Sequence, residues 1–265
     1  MNNLDLVSPI TEILIKASKL ILNIYHQNNF DSSLKDDLSP VTKADKDAHF
    51  LIIKELSRLF AKITVISEEG EEKEITSKIF WLVDPLDGTK EFINKSEDFT
   101  INIALINNHE SVFGAIYKPL TDELFIGGKN LPAFRKQNNV KEKLQTDSRP
   151  KDCIICQSKS HSTEKEKSVI EELKNKFNSH KVINAGSSIK ICLIAEGKCH
   201  IYPRFGDTHQ WDIAAGHAIL KASGGDILDL NLKEIIYFSS YKKKVNGFFA
   251  LSDIPFWVPK IQQLQ

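Results

Sequence analysis

One change of pattern constrains this chain more than any other feature. Up to Ile126 short apolar runs follow one another as strands, and after Pro150 strands alternate with helices. Two helices come first. Ser8-Pro9 supplies a capping hydroxyl and a first-turn proline, and Ile10, Ile13, Leu14, Ala17, Leu20, Ile21 and Ile24 then share one helical face. A second helix is expected from about Asp45 to Phe60, with Leu51, Ile52, Leu56, Leu59 and Phe60 inward. Ile63 to Ser67 and Ile79 to Val83 read as buried strands, and Asn28 to Ser39 and Glu68 to Lys78 as loops. Thr100 to Ile106 alternates, which predicts a half-buried strand with Ser111 to Tyr117 and Glu123 to Ile126 as meander neighbours.

The polar stretch from Asn130 to Pro150 reads as a junction. Beyond it strands are expected at Cys153 to Cys156, Lys181 to Asn184, His200 to Tyr202 and Phe248 to Leu251. Helices are expected at Thr163 to Phe177, Ser187 to Glu196 and Trp211 to Ala222. The fold class is therefore α/β, with an α+β half (residues 1–148) and an α/β half (149–265) closing on each other as stacked layers in one compact unit. With 265 residues, roughly three quarters of the extended-chain surface can be buried.

The charge is balanced, 35 basic against 35 acidic residues. No polymeric nucleic acid is expected as a partner, and an anionic substrate would have to be met by local chemistry such as a bound cation. No run of 18 apolar residues exists and no secretory leader is read at Met1, so a cytoplasmic protein is expected, with peripheral contact at the inner face of the membrane left open. Cys153 and Cys156 have the spacing of half a zinc ribbon, but in a strand such residues point to opposite faces; with Cys192 and Cys199 they read as buried free thiols in a reducing compartment. Tyr241 to Lys244 holds too few lysines for a membrane or nucleic-acid patch. No Walker A, G-x-G-x-x-G or H-E-x-x-H pattern occurs, which excludes the classes those motifs carry.

Chemistry concentrates at Asp84-Pro85-Leu86-Asp87-Gly88-Thr89. Pro85 interrupts the strand and Gly88 permits an unusual turn, so both carboxylates and the Leu86 carbonyl can face one volume. Hard cations such as Mg²⁺ take such an all-oxygen set. Alone, D-P-x-D-G is more often a plain turn. Context reverses that reading: Glu68 and Glu69 also follow a strand, and Asp212 opens an apolar helix, where it could cap amides or face a metal.

These residues resemble the inositol monophosphatase superfamily. Asp84 to Thr89 is similar to its first signature, and Trp211-Asp212-Ile213-Ala214-Ala215-Gly216 followed by Gly224-Gly225 to its second, in the family's order. Pro40 to Asp45 and Ser67-Glu68-Glu69 match further elements. Lys90-Glu91-Phe92, Gly186-Ser187-Ser188-Ile189-Lys190 and Tyr202-Pro203-Arg204-Phe205-Gly206 resemble its CysQ-type branch, the 3'(2'),5'-bisphosphate nucleotidases. The chain departs from that pattern at Asp207, His209 and Gln210.

The resemblance implies an α-β-α-β-α sandwich and a magnesium-dependent, lithium-sensitive phosphatase of sulfur assimilation. It implies Glu68, Asp84 and the Leu86 carbonyl on one Mg²⁺ and Asp84, Asp87 and Asp212 on a second. Asp45 and Thr89 would orient or activate the attacking water, with a third, weaker metal as an option. Glu68, Leu86, Asp87, Gly88, Thr89, Gly186, Ser187 and Asp212 would meet the substrate, and Lys190 and Arg204 would take a 5'-phosphate. The expected partner is a small phosphorylated nucleotide, and the expected assembly a monomer or homodimer. His161 reads as an ordinary core or surface histidine. The alternatives are an inositol or sugar phosphatase of the same superfamily and a non-catalytic phosphate- or nucleotide-binding regulator.

Overall fold

The computed structural model describes residues 2–27, 32–34, 40–71, 76–160, 162–240 and 243–264. Most of the 28–39 loop, part of 68–78, His161 and the first two residues of the Tyr241 to Lys244 run lie outside them.

Helices α1 (Asn3–Gln27) and α2 (Lys43–Leu59) flank the short strands β1 (Ser33–Leu34) and β2 (Pro40–Val41). A seven-stranded sheet follows, in the order β3-β4-β5-β6-β7-β8-β9. Its strands are β3 (Thr64–Ser67), β4 (Ile79–Asp87), β5 (Thr100–Asn107), β6 (Glu110–Lys118), β7 (Glu123–Gly128), β8 (Leu131–Gln137) and β9 (Val140–Lys143), with the short helix α3 (Thr89–Ile93) after β4. A five-stranded sheet runs β11-β10-β12-β16-β14. It is built from β10 (Cys153–Ser158), β11 (His180–Ala185), β12 (Ile201–Arg204), β14 (Asp226–Asp229) and β16 (Phe248–Leu251). The ribbon β13 (Thr208–His209) and β15 (Lys244–Val245) stands apart. Helices α4 (Glu164–Asn175), α5 (Ile189–Ala195), α6 (Gln210–Ser223) and α7 (Ile254–Ile261) complete the chain.

Side-chain alternation on β4 sorts the layers. Trp81 and Val83 pack under α1 and α2 with Ile10, Leu14, Ile52 and Leu56. Phe80 and Leu82 face the other way, against Ile191 of α5 and Ala214, Ala215 and Ile219 of α6. The far side of α5 and α6 meets Tyr202, Ile227, Phe248 and Ala250 of the second sheet. That sheet's outer residues Ile155, Ile201, Phe249 and Leu251 are covered by Val169, Leu173 and Trp257 of α4 and α7. The layers are therefore α-β-α-β-α, with α6 at the centre. No helix among the described residues is long and apolar enough to cross a membrane.

Several expectations are corrected. Helix α1 begins at Asn3 and carries Pro9 inside it. Asn3 Nδ2 donates to the Val112 and Lys129 carbonyls, at 2.6 and 2.8 Å, and Leu6 is buried one turn before Ile10, so docking outweighs the hydrogen bond that proline removes. Strand β5 is buried on both faces from Thr100 to Ile106 rather than half-exposed, because its small and polar residues face α6 and the site. The 130–150 stretch is not a bare junction: β8 and β9 extend the first sheet through it. Leu59 is exposed. Helix α7 is an element the expectations lack, although the Asp253 cap with Pro255 in the first turn marks its start. Cys153 and Cys156 do face opposite sides of β10, and all four cysteines are buried and free.

Candidate active site

Strand β4 does not stop at Asp84. It pairs with β5 as far as Asp87, with a register shift between Asp84 and Asp87. The irregularity lets both carboxylates face the inner layer, opposite Asn102 and Thr100 on β5. Gly88 follows with φ +95°, and a Cβ there would sit 2.8 Å from the Asp98 carbonyl oxygen. Glu68 arrives from the neighbouring strand, its amide bonded to the Val83 carbonyl. Asp212 arrives from α6, whose N-terminus points into the same volume.

Carboxylate oxygens of Glu68, Asp84 and Asp212 lie within 4.8 Å of one another, the one such group among the described residues. Asp87 stands beside this triad rather than in it. Its Oδ2 accepts from Ser188 N at 2.6 Å and Asn102 Nδ2 at 3.2 Å. Asp84 Oδ1 accepts from Leu86 N at 3.0 Å, which leaves its other oxygen to the cluster. Asp212 serves both ends left open above: one oxygen accepts from His209 N at 3.0 Å, as a cap, while the side chain faces the cavity.

Burial, then the charges of Glu68 and Asp87, push the Asp84 carboxyl well above the ordinary range. Burial, followed by Asp87 and Glu68, does the same to Asp212. Burial raises Asp87 to about 6, with Lys190, Asn102 and Ser188 pulling it back. Four carboxyls this close, with Asp84 buried and the other three half-buried, cannot all ionise unaided. A divalent cation fits this all-oxygen donor set and supplies the missing positive charge.

The sign of the pH dependence follows. Folded-state pKa values raised above about 3.8 favour the folded state at acid pH, and that stability is lost as pH rises through the raised values of Asp87, at about 6, and of Asp84 and Asp212. In chelator the melting temperature is expected to fall between pH 5 and pH 8. The increment on adding Mg²⁺ is expected to grow over the same interval, as cation and protons compete. Calorimetry across that range decides it, and a pH-independent increment would count against the cluster as the cation site.

A cavity of about 600 Å³ opens over these groups. Every sequence-derived site residue except Asp45 lines it: Glu68, Asp84, Leu86, Asp87, Gly88, Thr89, Gly186, Ser187, Lys190, Arg204 and Asp212. Asp45 is reached through Thr89, whose hydroxyl donates to Asp45 Oδ1 at 2.9 Å. Asp45 Oδ2 accepts from Thr42 N and Oγ1 at 2.7 and 2.6 Å, closing the capping box of α2.

Ser187 sits at φ +44°, and its buried Oγ has no hydrogen-bond partner among the described residues. Lys190 is buried and donates to the Ser187 and Ala185 carbonyls at 2.7 and 3.3 Å; burial lowers its pKa while Asp87 supports the charge. Asp207 and His209 line the cavity, and the His209 ring stacks on Trp211 with centroids 4.6 Å apart. Gln210 does not line it. Fully buried, it bonds the backbone of Phe238 and Ser240 and so ties that segment to the start of α6.

Sequence reasoning missed Thr100 and Asn102, and it saw Ser188 only as part of the Gly186 to Lys190 run rather than as a support of Asp87. Ser188 Oγ bonds Thr100 Oγ1 and Asn102 Oδ1, both at 2.9 Å, and this network holds Asp87. The signal of Thr100 and Asn102 was polar residues on alternate positions of β5, the strand paired directly with β4, a pattern that ordinarily means solvent.

Residues 4–246 match the model of the inositol monophosphatase family. The chain belongs to the inositol monophosphatase family. Among its relatives in that family, the 3'(2'),5'-bisphosphate nucleotidase CysQ of Buchnera aphidicola is 39% identical over 258 residues, covering 94% of this chain and 96% of that one. The protein of the same name from Escherichia coli is 36% identical over 237 residues, covering 88% and 94%. The crystal structure of CysQ from Bacteroides thetaiotaomicron superposes with a TM-score of 0.82 at 33% identity, covering 93% and 97%. An IMPase from Thermotoga maritima, 22% identical with a TM-score of 0.80 over 98% and 96%, shares the family fold.

Proposed function

We propose that the chain is a magnesium-dependent 3'(2'),5'-bisphosphate nucleotidase that hydrolyses adenosine 3',5'-bisphosphate to AMP and phosphate. One observation carries this reading beyond the family: a single cavity joins a carboxylate cluster, suited to cations, to three basic residues, Lys90, Lys190 and Arg204. A substrate with one phosphate to lose and another to anchor suits such a cavity. The similarity to relatives named as bisphosphate nucleotidases supports the same reading.

Glu68, Asp84 and the Leu86 carbonyl would hold one Mg²⁺, and Asp84, Asp87 and Asp212 the second. Bound there, the cations supply Lewis-acid stabilisation of the phosphate and of the leaving oxygen. The protein's own groups position and move protons. Thr89 Oγ1, donating to Asp45 Oδ1, keeps lone pairs for a water; as that water attacks in line, Thr89 accepts its proton and passes its own to Asp45. The Gly88 and Thr89 amides meet the reacting phosphate. Ser187 Oγ finds the partner it lacks in a ribose or phosphate oxygen. Phosphoryl transfer needs positioning and charge more than a covalent nucleophile, and none is invoked.

The test is phosphate release from adenosine 3',5'-bisphosphate and from inositol 1-phosphate, with and without Mg²⁺. The nucleotide is expected to lead in kcat/KM by at least about 100-fold, the scale on which polar contacts discriminate. A lead for inositol 1-phosphate would move the assignment to the sugar-phosphatase branch. Tight Mg²⁺-dependent binding without turnover would make the protein a regulator.

A further inference from the structure

Glu166 is a buried carboxylate that the mechanism above leaves unused. It lies in the first turn of α4, where its amide donates to the capping Thr163 hydroxyl at 3.1 Å. Acids are common there because they suit the helix dipole, and they ordinarily sit in water, as Glu164 does with 90% of its side chain exposed. Glu166 has no exposed surface. Its Oε2 accepts from Phe205 N at 3.4 Å and stands 3.9 Å from Arg204 Nη1. Its Oε1 has no hydrogen-bond partner among the described residues. A carboxylate this dry is costly unless a cation answers it, and Arg204 is the neighbouring cation, with Lys190 beyond.

Arg204 ends β12, two residues after Tyr202, so both side chains leave the same strand face and both line the cavity. Its guanidinium lies across Gly206: a Cβ there would come within 3.2 Å of Nη2 and 3.4 Å of Cζ. The guanidinium thus has a seat made of a missing side chain and a buried charge.

We propose that Glu166 is a positioning residue that holds the Arg204 guanidinium where the substrate's second phosphate arrives, and so sets the preference for a bisphosphate over a monophosphate nucleotide. The inference rests on the nucleotidase reading. Glutamine at position 166 keeps the shape and removes the charge, so Arg204 loses its buried counter-charge while no carboxylate of the cluster is replaced.

The experiment compares adenosine 3',5'-bisphosphate with adenosine 3'-monophosphate, which lacks the second phosphate. For Glu166→Gln, kcat/KM on the bisphosphate is expected to fall about tenfold through KM, the worth of one charged contact. On the monophosphate it is expected to stay within about twofold. In an Arg204→Ala background Glu166→Gln should add nothing, since the two act as one unit. Gly206→Ala, which crowds the same guanidinium, should reproduce the selective loss and serves if the glutamine variant does not accumulate. Equal losses on both substrates, no loss on either, or additive losses with Arg204→Ala would overturn the proposal. Wild-type inactivity on both nucleotides would instead sink the nucleotidase reading itself.

Discussion

Asp84→Asn is expected to lower kcat/KM for nucleotide hydrolysis by about a thousandfold, on the order of 4 kcal/mol of transition-state stabilisation. Asp84 is 1% exposed, and one oxygen is already committed to the Leu86 amide. The other oxygen faces Glu68 and Asp212, where an amide offers a neutral oxygen or an N–H. Neither replaces a carboxylate toward a small divalent cation. The fold should survive, because the substitution removes a charge that burial and its acidic neighbours disfavour. The signature is therefore double: activity lost, and a melting temperature in chelator that holds or rises while the Mg²⁺ increment shrinks. A variant with kcat/KM within tenfold of wild type would show that Asp84 is not at the centre of the chemistry.

The second large effect is expected far from any ligand. Gly114 lies in β6, between Ala104 of β5 and Gly127 of β7, where α6 crosses the sheet. A Cβ at Gly114 would sit 2.1 Å from the Ala215 carbonyl oxygen and 2.9 Å from Ala215 Cα. Those are helix backbone atoms, so the helix itself must move. Gly114→Ala is expected to cost about 3 kcal/mol, a fall of roughly 6 to 12 °C in melting temperature. Activity should fall further than stability alone accounts for, because Ala215 is three residues from Asp212 on the same helix. Gly127→Ala, whose added carbon would meet its nearest atoms at 3.0 Å, should be milder. A Gly114→Ala melting temperature within 2 °C of wild type would contradict this account of the close approach.

The two cases mark what could and could not be read from residue order. Asp84 was legible because a strand, a proline, two carboxylates and a glycine in five residues admit few conformations. Glu68 and Asp212 were legible as acids at element ends. Gly114 was not, because its neighbour Ala215 lies a hundred residues away and a glycine in a strand announces nothing about what crosses it. Thr100 and Asn102 were misread for a related reason: alternation reveals two faces, but not that the second face is covered by α6. The strands β8 and β9 hid in a polar stretch, since an edge ribbon needs little apolar surface. Asp212 was left as either cap or ligand because a sequence does not say that two oxygens of one carboxyl can point to different tasks.

The central position of α6 has a consequence for the order in which the site comes into being. A ribosome releases the chain from its N-terminus. Glu68, Asp84 and Asp87 are therefore made well before Lys190, Arg204 and Asp212. Chain made only as far as Asp87 holds three of the four carboxylates of the site but neither Asp212 nor Lys190 and Arg204. The acidic half of the site is therefore complete in sequence before the helix that closes it has been made.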